Sequence, residues 1–233
     1  MACRQHEAYE RLLADLGCTV HRLPVEPDLP DSVFIEDTCV VLDELAVIAR
    51  PGADSRRPET RGVAERLRSH RRLHAVAPPG TLDGGDVLTL GKTIYVGLST
   101  RSNQAAVSQL QRVLEPWGYA VRGVPVQGCL HLKSAATVVA RKTLLVNRAW
   151  VDPGAFGDVR LIDVDPEEPT AANALLLGDR VILPSGFPRT ARRLAAAEIR
   201  VAAVDVSELQ KAEGGVTCCS VIYEASAAPL TLP

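Results

Sequence analysis

Five polar residues stand at nearly equal spacing along otherwise apolar stretches of this chain. They carry an acid, an acid, an imidazole, an amide and a thiol, about 46, 48, 42 and 45 residues apart: Asp37, Asp83, His131, Asn173 and Cys218. A cysteine, a histidine and carboxylates are the side chains that covalent catalysis needs as nucleophile, proton carrier and electrostatic partner. Taken alone, each has an ordinary structural alternative, such as a buried thiol or a turn aspartate. Their common period favours one joint site.

The segments that carry these residues repeat one order of elements about every 40–50 residues: strand, tight turn, strand, helix, strand. Apolar patterning predicts four hairpins, with turns at residues 43–44, 91–92, 141–142 and 178–179. It also predicts helices over residues 5–16, 58–72, 102–115 and 188–198.

Two further strands are predicted, over residues 19–25 and 217–222. In the second strand, Cys218 and Cys219 would point to opposite faces, because successive strand side chains alternate.

Repeats of this length predict supersecondary units that stack on one another, and the prevalence of strands favours radial closure over a solenoid. A doubly wound sheet is the alternative fold. The absence of a Rossmann or P-loop glycine motif after the first strand weakens that alternative.

Composition narrows the class of protein. The chain has 233 residues, of which 46% are hydrophobic and 23% charged, as in an ordinary globular domain. Its net charge of −2, with no basic stripe, argues against a nucleic-acid partner. No apolar run approaches about 18 residues and the first ten residues are not a signal peptide, so we expect a cytoplasmic protein with no membrane partner. The six cysteines form no CxxC pair, which indicates reduced thiols.

Seven motifs in this chain resemble those of the dimethylarginine dimethylaminohydrolase family, in the guanidino-group-modifying (pentein) superfamily. In chain order they are DSVFIED, ARPGADSRR, TLDGGDVL, STRSNQ, LHLKS, AAN and EGGVTCCS. The resemblance covers nearly the whole chain. It implies an α/β fold, a five-bladed propeller of ββαβ modules with pseudo-fivefold symmetry, formed by residues 1–233 as a single catalytic domain.

The resemblance also implies the catalytic residues. Cys218 matches the nucleophile, His131 the proton donor and Asp83 its acidic partner. Asp37 matches a second carboxylate, which holds the guanidinium of the substrate. No metal and no organic cofactor are implied, because side chains supply the nucleophile, the acid and the electrostatic partners.

The remaining implied residues bind the substrate. Asp31 matches a contact to the α-amino group, and the adjoining Glu36 a further substrate contact. Arg50 and Arg101 match the pair that binds the α-carboxylate. Ala212 matches a position that contributes a backbone contact shortly before the nucleophile.

These assignments imply a hydrolase that converts N-ω-methylated arginines, asymmetric dimethylarginine and monomethylarginine, to citrulline and methylamines. The alternatives are an arginine deiminase-like hydrolase and a binding or regulatory paralogue without turnover. We expect the partner to be a small-molecule substrate and the protein to be a monomer or homodimer. The family also carries a strand and a lid before the helix that opens this chain, so we expect the strand with Cys218 to lack a neighbour and the site to lack its cover.

Overall fold

Twelve strands in the described part of the chain form four three-stranded sheets of identical design. The structure is a computed structural model that describes residues 1–225. In every sheet the central strand pairs antiparallel with the strand before it and parallel with the strand after it. The strands are β1 (Cys39–Val41), β2 (Leu45–Ile48), β3 (Arg72–Ala75), β4 (Val87–Leu90), β5 (Thr93–Leu98), β6 (Ala120–Pro125), β7 (Ala136–Ala140), β8 (Thr143–Val146), β9 (Arg160–Asp163), β10 (Leu175–Leu177), β11 (Arg180–Pro184) and β12 (Arg200–Val204).

The four predicted hairpins are confirmed, and the conformation of their turns explains why the sequence predicts them. Two-residue turns between paired strands favour backbone with positive φ. Gly91 (φ 61°), Lys142 (φ 52°) and Gly178 (φ 58°) adopt it in the second, third and fourth hairpins.

The described residues also contain six α-helices, of which the first precedes all strands and the last follows them. They are α1 (Ala2–Asp15), α2 (Thr60–Leu67), α3 (Gln104–Leu114), α4 (Leu132–Ala135), α5 (Pro188–Ala196) and α6 (Ser207–Gln210). The side chain of Asn103 caps α3 by accepting a hydrogen bond from the Ala106 N–H at 3.0 Å. The buried carboxylate of Glu168 satisfies two free N–H groups at the start of α5, those of Arg189 and Thr190, at 2.9 and 2.7 Å.

The contacts of the chain divide it into two compact units. Unit 1 consists of Met1–Arg22 and Val126–Thr217, and unit 2 of Leu23–Pro125 with the segment from Cys218 onwards. Unit 1 holds sheets β7-β8-β9 and β10-β11-β12 around a core that includes Leu145, Val181 and Leu183. Unit 2 holds sheets β1-β2-β3 and β4-β5-β6 around cores that include Val47, Ile94 and Val96.

Two of the predicted strands are wrong. Residues 19–25 have no regular structure, and Val25 in that stretch is 88% exposed. Residues 216–219 form a turn, and residues 220–225 continue without strand pairing. An apolar run becomes a strand only where a neighbour satisfies its backbone hydrogen bonds, and no described residue pairs with either segment as a strand.

No helix within residues 1–225 is long and apolar enough to cross a membrane.

Candidate active site

The DSVFIED motif ends in a short 3₁₀ helix, Ile35–Thr38, which places two acidic side chains in the interior of unit 2. Glu36 and Asp37 are only 8% and 5% exposed. Asp37 accepts a hydrogen bond on Oδ1 from the Gly85 N–H at 3.0 Å, and on Oδ2 from Nη1 of Arg56 at 2.5 Å. Charge-assisted bonds of this kind hold a carboxylate in one orientation.

The TLDGGD motif supplies the second buried carboxylate of unit 2. Asp83 is fully buried, and its Oδ1 accepts a hydrogen bond from the Gly52 N–H at 2.9 Å. Its own N–H donates to Oγ of Ser102 at 3.0 Å. A carboxylate oxygen of Asp83 lies within 4.8 Å of one of Asp37. Two carboxylates at this separation suit a planar cation that donates to both.

Gly84, which follows Asp83, occupies a position that has no room for a side chain. A Cβ atom at this position would lie 2.0 Å from the carbonyl oxygen of Glu36 and 2.7 Å from that of Cys39. Both neighbours are backbone atoms, which do not move aside as a flexible side chain does. The two acidic motifs therefore pack directly against each other because one of them has no side chain at this point.

Arg56 is the residue of this site that the sequence analysis missed. Its guanidinium is buried and binds the carboxylates of Asp37 and Glu59, and it also donates to the backbone carbonyls of Asp31 and Phe34 at 3.2 and 3.0 Å. Arg56 thus fastens both ends of the segment that carries the acidic motif. Its signal was present in ARPGADSRR, but the motif does not reveal which of its arginines turns inward.

The electrostatics of this cluster follow from its burial. Burial acts to lower the pKa of Arg56, but hydrogen bonds and charges of Glu59 and Asp37 outweigh it and hold that pKa above its ordinary value. Burial raises the pKa of Glu59, and the carboxylates of Asp31 and Asp37 act in the same direction, against the opposing effect of Arg56. Arg56 therefore stays charged and balances the acids around it.

Cys218 and Cys219 lie in the turn over residues 216–219, where a strand was expected. The carbonyl oxygen of Cys218 accepts a hydrogen bond from the Glu36 N–H at 3.1 Å, which ties the turn to the acidic motif within unit 2. Cys218 is half-buried, whereas Cys219 is buried. Burial, followed by the charges of Cys218, Glu36 and Asp37, raises the pKa of the Cys219 thiol far above its ordinary value.

The basic residues expected to bind a carboxylate also lie in unit 2. Nη1 of Arg101 is buried, and no acceptor among residues 1–225 makes a hydrogen bond to it. Arg50 donates from Nη1 to the carbonyl oxygen of Gly80 at 3.1 Å. Asp31 is exposed at the start of the acidic motif, and its carbonyl oxygen accepts from the Phe34 N–H at 2.9 Å. An unsatisfied buried guanidinium donor is costly without a ligand, so Arg101 is the stronger candidate for an anion contact.

His131 belongs to unit 1 and stands immediately before the one-turn helix α4. It is 6% exposed, and its carbonyl oxygen accepts from the Ser134 N–H at 3.0 Å and from Sγ of Cys129 at 3.4 Å. The loop before it is tied to Trp150, whose carbonyl oxygen accepts from the Gln127 N–H at 3.0 Å. The imidazole is therefore carried on a short, well-anchored segment.

Two further predicted positions lie in unit 1. Asn173 is 8% exposed and bonds to Thr217, the residue before Cys218. Ala212 is exposed in the turn after α6, where its N–H donates to the Leu209 carbonyl oxygen at 3.0 Å. Unit 2 thus contains Asp37, Asp83 and Cys218, and unit 1 contains His131, Asn173 and Ala212.

The chain is similar to proteins of known activity over most of its length. A dimethylarginine dimethylaminohydrolase of Pseudomonas aeruginosa is 36% identical over 224 residues, which cover 95% of this chain and 88% of the relative. One of Streptomyces coelicolor is 44% identical over 223 residues, with 95% and 85% covered.

Solved structures show the same relationship in the fold. The Pseudomonas aeruginosa protein, as a cysteine-to-serine mutant complexed with citrulline, superposes with a TM-score of 0.89 at 35% identity, with 94% of this chain and 86% of that chain covered. An amidinotransferase of saxitoxin biosynthesis from Microseira wollei, at 17% identity and a TM-score of 0.84, shares the fold alone, with 99% and 85% covered. The α/β fold is therefore that of the pentein structures.

The family described as "N,N dimethylarginine dimethylhydrolase, eukaryotic" matches residues 1–152. The relatives at 36% and 44% identity extend the similarity over almost the whole chain. The chain belongs to the dimethylarginine dimethylaminohydrolase family.

Proposed function

We propose that this protein hydrolyses N-ω-methylated arginines, asymmetric dimethylarginine and monomethylarginine, to citrulline and methylamines. The observation that carries the proposal is the pair of buried carboxylates, Asp37 and Asp83, within 4.8 Å of each other in the same unit as Cys218. A guanidinium is the planar cation that such a pair binds best, and membership of the family specifies a methylated one.

The substrate is a cation at one end and a zwitterion at the other. In the proposed complex Asp37 and Asp83 bind the guanidinium, with Glu36 as a further contact. Arg101 and Arg50 bind the α-carboxylate. The buried Nη1 of Arg101, which has no acceptor among residues 1–225, supports the role of Arg101. Asp31 binds the α-amino group. Ala212 is proposed as a backbone contact.

The proposed chemistry is covalent. The thiolate of Cys218 attacks the guanidinium carbon and forms a C–S bond, the C–N bond to the methylated nitrogen breaks, and His131 gives that nitrogen a proton. Asp83 acts as the acidic partner. His131 then takes a proton from water, whose oxygen forms a C–O bond to the thiouronium carbon. The C–S bond breaks, the remaining hydroxyl proton passes to solvent, and citrulline and the Cys218 thiolate are released. In both steps, side chains supply the nucleophile, the proton carrier and the acidic partner.

The proposal extends to the architecture of the protein, its compartment and its partners. We propose that the four three-stranded sheets belong to a five-bladed propeller of ββαβ modules, the third of which has the 3₁₀ helix Pro153–Phe156 in place of the α-helix, and that residues 1–233 act as one catalytic domain. The repeated sheet design and the likeness to solved pentein structures support this. We also propose a cytoplasmic monomer or homodimer that binds no nucleic acid. Six free thiols and a net charge of −2 support a reducing compartment and the absence of a polyanionic partner.

The test is citrulline release from purified protein given dimethylarginine, monomethylarginine or arginine in parallel, with Cys218→Ser as the blank. We expect turnover of the methylated substrates and little of arginine. Preferred turnover of arginine would support the deiminase-like alternative. Binding of dimethylarginine without citrulline release would support a regulatory paralogue and contradict the hydrolase.

A further inference from the structure

The amide of Asn173 makes a compact set of hydrogen bonds that the proposed reaction does not use. Asn173 closes the AAN motif, directly after the 3₁₀ helix Pro169–Ala172. Its Nδ2 donates to Oγ1 of Thr217 at 2.9 Å and to the carbonyl oxygen of Lys133 at 3.4 Å. Its Oδ1 accepts from the Thr217 N–H at 3.1 Å. The amide thus both donates and accepts, which a hydroxyl or a carboxylate does not reproduce in the same geometry.

The two partners of this amide are the chain neighbours of the proposed catalytic residues. Thr217 is joined by a peptide bond to Cys218, and Lys133 lies two residues after His131 in α4. All three residues of this hydrogen-bonded set belong to unit 1. One buried side chain therefore ties the backbone beside the imidazole to the backbone beside the nucleophile.

Neither of these two backbone segments belongs to a sheet or to a long helix. Helix α4 is a single turn of four residues, a length that is marginal without tertiary contacts. The Cys218 turn is not part of a sheet within residues 1–225, and individual hydrogen bonds hold it, such as the one from the Glu36 N–H to the Cys218 carbonyl oxygen. Contacts with other parts of unit 1, those of Asn173 among them, therefore contribute to the position of each segment.

We infer that Asn173 is a positioning residue for the reaction: its amide sets the backbone of His131 through Lys133 and that of Cys218 through Thr217. The inference rests on the proposed function, because it needs both residues to react. A displacement of about 1 Å in a reacting group costs on the order of a hundredfold in rate. We therefore expect Asn173→Ala to lower kcat by about ten- to a hundredfold while KM stays within about threefold.

Two further variants separate the effect of the hydrogen bond to Lys133 from the effect of the hydrogen bonds to Thr217. Asn173→Asp keeps an acceptor for the Thr217 N–H and hydroxyl, but its carboxylate has no donor for the Lys133 carbonyl and repels it. Thr217→Val keeps the Lys133 tie and the N–H bond, and removes only the hydroxyl. Asn173→Asp should therefore disturb mainly His131, and Thr217→Val mainly Cys218.

The leaving group reports which catalytic residue is disturbed. Dimethylamine leaves only when a proton reaches its nitrogen, whereas S-methyl-L-thiocitrulline loses methanethiolate, which departs without one. Both compounds require the attack by Cys218. We expect Asn173→Asp to lower kcat/KM for dimethylarginine about tenfold more than for S-methyl-L-thiocitrulline, and Thr217→Val to lower both by the same factor.

Asn147 provides the matched control. It is a buried asparagine of unit 1, 7% exposed, whose amide accepts from the Ala149 N–H at 3.0 Å and donates to the Pro169 carbonyl oxygen at 2.9 Å. Pro169 begins the 3₁₀ helix before Asn173, so Asn147→Ala removes a buried amide beside the same helix without touching the bonds to Lys133 or Thr217. We expect Asn147→Ala to lower the melting temperature as much as Asn173→Ala does and to leave the leaving-group ratio unchanged.

The outcomes separate the inference from the proposed function. If the parent releases no citrulline from dimethylarginine, the proposed function fails. The positioning role is wrong if the parent is active and Asn173→Asp lowers kcat/KM equally for both substrates. It is also wrong if Asn173→Asp has the same kinetic constants as Asn147→Ala. If Asn173→Ala does not fold, Thr217→Val and Asn173→Asp still decide, because each keeps part of the hydrogen bonding between Asn173 and its partners.

Discussion

Cys218 and Cys219 are neighbours in the chain, yet their thiols occupy different surroundings. Cys218 is half-buried, and the Glu36 N–H binds its carbonyl oxygen at 3.1 Å. Cys219 is buried, and that burial raises the pKa of its thiol, so it remains protonated at neutral and moderately alkaline pH. A protonated, buried thiol is a poor nucleophile. The turn, rather than the alternation of a strand, separates their environments.

The expected consequence is selective reactivity. A substrate-like chloroacetamidine should alkylate Cys218 between pH 7 and 9, and Cys219 should stay unlabelled over this range because its pKa lies above it. Peptide mass spectrometry of labelled parent, Cys218→Ser and Cys219→Ser measures this. Citrulline release should vanish in Cys218→Ser and persist in Cys219→Ser. The reverse pattern would move the nucleophile to Cys219 and overturn the assignment.

Arg101 should affect binding more than chemistry. Its buried Nη1 has no acceptor among residues 1–225, and the proposed ligand group, an α-carboxylate, does not change in the transition state. Loss of a charge-assisted hydrogen bond costs about 1.5–3 kcal/mol, so Arg101→Ala should raise KM by roughly ten- to a hundredfold and leave kcat nearly constant. Steady-state kinetics measure both, with Arg101→Lys as an intermediate control. A collapsed kcat at unchanged KM contradicts the role.

At the scale of elements, the loop before His131 depends on a glycine. Gly128 has a φ of +72°, and a Cβ atom there would lie 2.7 Å from Cδ1 of Trp150. Gly118 has a similar φ of +77° but no atom within 4 Å of an added Cβ. Both alanine variants are strained in the backbone, at about 1 kcal/mol or more, and only Gly128→Ala also displaces the indole.

We therefore expect Gly128→Ala to lower the free energy of unfolding by more than Gly118→Ala, and to reduce kcat through the displaced loop. Chemical denaturation and citrulline assays test the pair. Equal losses of stability in both variants would show that the contact with Trp150 carries no energy.

The elements that could be predicted are those set by neighbouring residues. The hairpins follow from apolar runs joined by two-residue turns, and α3 from the cap at Asn103 before its apolar stripe. Residues 19–25 and 217–222 are apolar too, but strand formation there needs a distant partner that no local pattern reveals. Arg56 was missed for the same reason, because its inward orientation depends on Asp37, 19 positions earlier, and on the carbonyl groups of Asp31 and Phe34, which lie 25 and 22 positions earlier.

At the scale of the whole molecule, Arg71 joins parts of unit 2 that are far apart in the chain. It is 4% exposed and donates to the carbonyl oxygens of Leu42 at 2.8 Å and Glu224 at 2.6 Å. Its guanidinium also lies 5.5 Å from the ring centroid of Tyr223. The end of the described chain is thereby attached to the first hairpin.

Arg71→Ala should cost on the order of 1–3 kcal/mol, because it leaves carbonyl groups without their donors. The adjacent Arg72 is exposed in β3 and serves as the control, with an expected change within about 0.5 kcal/mol for Arg72→Ala. Thermal or urea unfolding compares the two. A similar stability for both variants would show that the attachment is weak.

The shared strand order of the four sheets also predicts which strands unfold locally first. Each middle strand, β2, β5, β8 or β11, has partners on both sides and is largely buried. The strand after it has one partner strand within residues 1–225 and more exposed residues. Amide hydrogens that exchange slowest with deuterium should therefore occur as four separate groups along the chain, one for each middle strand. The outer strands should exchange first by fraying, and they are where substitutions can accumulate with the least effect on the centre of each sheet.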